Sequence, residues 1–92
     1  MEALLDNLYS ENYTLNTKLV VNIVKNEGEY VARLKDVNIG ATGKDITEAL
    51  MNLAEIIMYN FKHLKKFPDK KLGKDILATK TFLNSVIVKK ED

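Results

Sequence analysis

Lys18-Leu19-Val20-Val21-Asn22-Ile23-Val24-Lys25-Asn26-Glu27-Gly28-Glu29-Tyr30-Val31-Ala32-Arg33-Leu34-Lys35 is the stretch that decides the fold. Its first half is rich in β-branched residues, which suit a pleated, half-buried surface. As a strand over Lys18–Lys25 it puts Leu19, Val21 and Ile23 on one face. Asn26-Glu27-Gly28 reads as a hairpin turn, with Gly28 free to take positive φ. Glu29–Lys35 returns, with Tyr30, Ala32 and Leu34 pointing one way and Val31 and Arg33 the other. Asp36 marks a bend. Val37–Thr42 then reads as a short third strand, in which Gly40 can tolerate a bulge or a close approach of the following helix.

Downstream the period changes from two to 3.6. Ile46, Leu50, Leu53, Ile57 and Leu64 recur at helical spacing, and Ala49, Ala54, Met58 and Phe61 widen the stripe. Asp45 is a suitable N-cap, and Glu48 three residues on completes a capping-box pattern. The helix is expected to stop near Lys65–Phe67, before Pro68. The stripe is broader than one face of a three-stranded sheet requires. Two covers are open: the C-terminal segment, or another chain meeting Met58 and Phe61. Asp69 is a candidate cap for a second helix carrying Leu72, Ile76 and Leu77, which Gly73 would weaken. Val86-Ile87-Val88 reads as a last short strand. The expectation is therefore an α+β domain over residues 17–92: a three-stranded antiparallel sheet packed on one long helix (β-β-β-α), with a C-terminal helix and/or short strand. Residues 1–16 read as an appendage. There Leu4, Leu5, Leu8 and Tyr9 can form one or two helical turns, cover a sheet edge, meet a partner or stay loose.

The chain has 92 residues, 46% of them hydrophobic and 29% charged, which fits one packed domain. It has no cysteine, so disulfides and thiolate metal sites are excluded, and a reducing cytoplasm fits. The acidic start, Met1-Glu2-Ala3-Leu4-Leu5-Asp6, does not read as a secretory signal. No stretch approaches the ~20 apolar residues of a membrane span. Net charge is +1, unevenly placed: residues 1–61 hold five basic and nine acidic side chains, and residues 62–92 nine basic and four acidic.

Catalytic patterns are missing. His63 is the only histidine, so a transition-metal site would need carboxylates alone. It lies near a helix C-terminus, where cations are favoured structurally. Ser10 and Ser85 have no base suggested by spacing. Ile39-Gly40-Ala41-Thr42-Gly43 lacks the phosphate-loop ending and reads as a strand-to-helix turn. Glu48 and Glu55 share a helix face but stand too far apart for paired acid–base work. Lys62, His63, Lys65, Lys66, Lys70, Lys71 and Lys74 can contact phosphate, yet nearby Tyr59, Phe61 and Phe67 read as core and helix end. No helix-turn-helix, zinc-finger or basic-zipper pattern is visible, so specific DNA reading is not expected. No enzyme activity, metal or cofactor is expected.

The wording of two segments adds a family resemblance. Gly28-Glu29-Tyr30-Val31-Ala32 resembles the second strand of HicB-type antitoxin domains. Gly43-Lys44-Asp45-Ile46-Thr47-Glu48-Ala49-Leu50, with Asn52-Leu53 and Glu55-Ile56, resembles that family's turn and helix. The likeness covers about residues 18–60. It implies a partial ribonuclease-H-like core that binds and neutralises a small basic toxin, often as a homo-oligomer. The sequence departs from the family where Asp36-Val37-Asn38-Ile39 replaces the usual Pro-Gly-Cys stretch, and no DNA-binding pattern follows residue 64. The alternative is a stand-alone, self-associating domain with a structural or regulatory role. Arg33, on the outward strand face, and Met58 and Phe61, on the surplus helix face, are the candidate interaction residues.

Overall fold

The computed structural model describes residues 1–90. Six strands and two helices follow in the order β1 (Glu2–Leu5), β2 (Tyr13–Leu15), β3 (Leu19–Asn26), β4 (Glu29–Leu34), β5 (Gly40–Gly43), α1 (Ile46–Leu64), α2 (Lys74–Val86) and β6 (Ile87–Lys89), with a 3-10 turn at Asp69–Lys71 between the helices. The strands form two sheets. One is four-stranded and antiparallel in the order β1-β3-β4-β5; the other pairs β2 with β6. The expected single three-stranded sheet on one long helix is thereby corrected. The fourth strand and the whole second sheet come from the chain's first fifteen residues and its last ones.

β3 and β4 form because their alternation lets one face be buried and the other wetted. Leu19, Val21, Ile23, Ala32, Leu34 and Ala41 are buried on the inner face. The turn between them needs two left-handed residues, Glu27 at φ 50° and Gly28 at φ 85°, which is the two-residue geometry that matches strand twist. β1 adds its residues to β3 in the register Ala3↔Val21 and Leu5↔Leu19, so Leu5 joins the core. These residues pair as a strand and not as helical turns, because the free edge of β3 satisfies their backbone groups.

α1 starts where its cap chemistry demands. Asp45 Oδ1 accepts from the Glu48 amide at 2.8 Å, and Glu48 Oε1 accepts from the Lys44 amide at 3.1 Å. The reciprocal bond reaches one residue further back than in a standard capping box. Gly43 stands directly against the backbone of Glu48 and Ala49, where no Cβ would fit. The close approach of strand and helix is thus at Gly43, whereas Gly40 lies on the outer face beneath Arg33. Asn52 Nδ2 donates to the Thr42 carbonyl at 2.8 Å and pins the helix to β5. Leu53 and Ile57 are fully buried.

Asp69 does not cap α2. The helix starts after Gly73, whose backbone is the N-cap, and the Asp69 carboxylate pairs instead with Lys80 at 2.8 Å. At the other end, the Asn16 amide and side chain both donate, to the carbonyls of Val86 and Ser85. Those carbonyls lie at the C-terminus of α2, where intrahelical partners run out. β6 then pairs with β2 from the opposite end of the chain.

Candidate interaction surfaces

Three surfaces stand out: the outer face of the four-stranded sheet, the solvent side of α1, and the basic end of the molecule. The fold is only 17 Å thick along its shortest axis. The helices pack on one side of the sheet, and among the described residues no element covers the other.

Cross-strand register arranges that open face in rows. Leu4 pairs with Val20; Glu2, Asn22, Arg33 and Gly40 line up across all four strands; Val24, Val31 and Thr42 form the next row. Leu4 is 57% exposed and Val24 61%, with Val20 and Val31 half-buried. Two apolar pairs therefore flank one polar row holding a carboxylate and a guanidinium. Arg33 is exposed and central to that row, its stem lying over Gly40.

Met58 and Phe61 are placed differently. Both are buried within the chain, in the same core cluster as Leu8, Leu83, Val86 and Ile87. The Tyr13 ring meets Phe61 edge-on at 5.1 Å, and the Lys65 ammonium lies 4.2 Å from the Phe61 ring centre. The surplus apolar stripe of α1 is covered by residues from both chain ends, so it offers no free patch. The exposed apolar residues of α1 are Met51, Ile56 and Tyr59 instead. A shallow groove of about 550 Å³ runs between Met51, Glu55 and Tyr59 on one side and the loop at Leu8–Ser10 on the other.

At the far end of α1 the sequence signal was present but its geometry was not. Tyr59, His63 and Phe67 are spaced by four. Tyr59 stacks on His63 with ring centres 5.6 Å apart and planes 9° apart, and His63 meets Phe67 at 5.3 Å. Tyr59 is 66% exposed and Phe67 40%. The spacing of Tyr59 and Phe67 suggests core and helix end, whereas both rings are exposed. Beside it lies a second groove of about 460 Å³, whose wall includes Asn38, Asn60, His63, Phe67 and Lys71. Among the described residues the one ion pair is Lys80–Asp69, and no cluster of metal-ligating side chains occurs. Neither Ser10 nor Ser85 is hydrogen-bonded to His63: Ser10 Oγ accepts from the Asn12 and Tyr13 amides, and Ser85 Oγ donates to the Phe82 carbonyl. Among the described residues no helix is long and apolar enough to cross a membrane.

Comparison with known proteins returns nothing: no family model, no curated protein and no solved structure matches this chain.

Proposed function

We propose that this chain is a protein-binding domain of HicB-like type, working by contact and without turnover or cofactor. It takes a small basic, toxin-like protein on the open face of the four-stranded sheet. One observation carries the reading: a sheet face uncovered by the domain's own layers, with Leu4 and Val24 well exposed on either side of the Glu2–Asn22–Arg33 row. An exposed apolar surface rimmed by polar groups marks an interaction site. Residues 1–61, which build this sheet and all but the last turn of α1, hold five basic against nine acidic side chains, a balance that suits a basic partner. The absence of cysteine is in keeping with a cytoplasmic setting.

A second copy of the chain is the alternative occupant. Glu2 and Arg33 bring both signs to one row, and a two-fold axis can pair them across an isologous interface.

The test is light scattering after size exclusion, on protein isolated from its native cells and on protein made alone. Val24→Asp is the diagnostic variant, since Val24 contributes little to the core. A stoichiometric small basic companion, lost in the variant while the melting curve is kept, is the expected result. A homo-oligomer dissociated by Val24→Asp and carrying no companion selects the alternative. A monomer without a companion in both preparations refutes both readings.

A further inference from the structure

The basic end of the molecule is separate from the sheet face and is not used by it. Six lysines fall within residues 62–74, and the single carboxylate there, Asp69, is already engaged by Lys80. Lys65 is turned over the Phe61 and Tyr13 rings. Lys62 and Lys66 stand three residues after Tyr59 and His63, so they run along the stripe next to the aromatic ladder. Lys70 and Lys71 follow in the 3-10 turn beyond Phe67. Glu55, one turn before Tyr59, ends the patch on its other side.

A lysine cluster alone attracts any polyanion. The rings narrow the choice. Tyr59 is 66% exposed and Phe67 40%, with His63 stacked parallel to Tyr59 between them, so the two outer rings of the ladder leave open aromatic surface beside a track of cations. That pairing of stacking surface and phosphate-binding charge is the means by which single strands are held without sequence preference. Bases inside a duplex keep their faces stacked on one another and cannot use it. The groove beside the ladder adds Asn38 and Asn60, whose amides can meet the edge of a splayed base; Asn60 spends one donor on the Ile56 carbonyl and keeps its acceptor.

From this juxtaposition we infer that the end of α1 and the turn after it bind single-stranded nucleic acid. Bases lie on the Tyr59–His63–Phe67 ladder, and phosphates on Lys62, Lys66, Lys70 and Lys71.

Fluorescence anisotropy with a short labelled uridine oligonucleotide tests it on the full chain. Four single-strand phosphate contacts at ~0.7 each predict a slope near 3 in log Kd against log salt, or about 50-fold weaker binding at 200 than at 50 mM salt. Tyr59→Ala and Phe67→Ala are each expected to weaken binding roughly 5-fold or more. Lys62→Ala with Lys66→Ala is expected to lower the slope by about 1.4. Should Phe67→Ala unfold, Phe67→Leu keeps the apolar contact and removes the ring. Absence of saturable binding at low salt overturns the proposal. So does unchanged affinity in folded ring variants, a duplex bound as tightly as the single strand, or binding to phosphatidylserine vesicles without binding to the oligonucleotide.

Discussion

Replacing Gly43 by alanine separates a steric from a conformational demand on glycine. A Cβ built at Gly43 overlaps the Ala49 amide nitrogen and stands 2.8 Å from both the Ala49 Cα and the Glu48 carbonyl carbon. Carbon atoms in good contact are about 3.5–4.0 Å apart, so α1 would have to retreat from β5 by more than half an ångström. Overpacking costs about 1–3 kcal/mol when side chains can move aside. Here the obstacle is helix backbone, itself tied to β5 by the Asn52–Thr42 hydrogen bond, so the loss belongs at the top of that range, about 3 kcal/mol. A chain of this size has about 5–14 kcal/mol of stability in all. The melting temperature should then fall by about 12–24 °C. Gly28→Ala is the control. It has φ 85° and open space around it, so it meets only the left-handed penalty of about 1–2 kcal/mol. Circular dichroism melts of the two variants beside the parent decide the matter. If Gly43→Ala melts no lower than Gly28→Ala, β5 and α1 are not packed as described.

Two further substitutions probe the turn and the chain's end. Glu27 holds φ 50° in the hairpin turn, a conformation that asparagine tolerates better; Glu27→Asn should stabilise by about 0.5–1 kcal/mol and raise the melting temperature by a few degrees, and a lower melting point would refute the turn geometry. Leu83 of α2 is fully buried in the shared core, so Leu83→Ala should cost about 2–5 kcal/mol in a urea titration; a loss under about 1 kcal/mol would mean that α2 is an appendage and not part of the cooperative unit.

The hairpin and α1 were legible because each carries its own period over enough residues to be unambiguous. Leu19, Val21, Ile23, Ala32 and Leu34 alternate over whole strands, and Asp45 with Glu48 announces the helix start. β1 was not legible. Leu4, Leu5 and Leu8 fit a helical turn as well as a strand, and four residues are too few for periodicity to arbitrate. Its strand character comes from the edge of β3, which is distant in sequence. β2 and β6 have three residues each and define one another only as a pair. The width of the α1 stripe was visible, but the identity of its cover was not, since Tyr13 and Leu83 reach it from opposite directions along the chain. The surface candidates divide the same way. Arg33 follows from strand alternation and lies where alternation puts it. The Tyr59–His63–Phe67 spacing was in plain view, but whether such a stripe is core or surface depends on which helix face the sheet takes.

The clasp between β2 and β6 also sets an order in time. The β3–β4 hairpin and α1 draw on neighbouring residues and can assemble while synthesis continues. The clasp needs Lys89 to meet Tyr13, so it closes a loop spanning almost the entire described chain, and distant pairings of this kind form late. Until it closes, Met58 and Phe61 lack their cover. A nascent chain stalled before α2 therefore leaves Met58 and Phe61 without Leu83, Val86 and Ile87, the later part of their cover, and transiently exposed apolar surface of this kind favours aggregation.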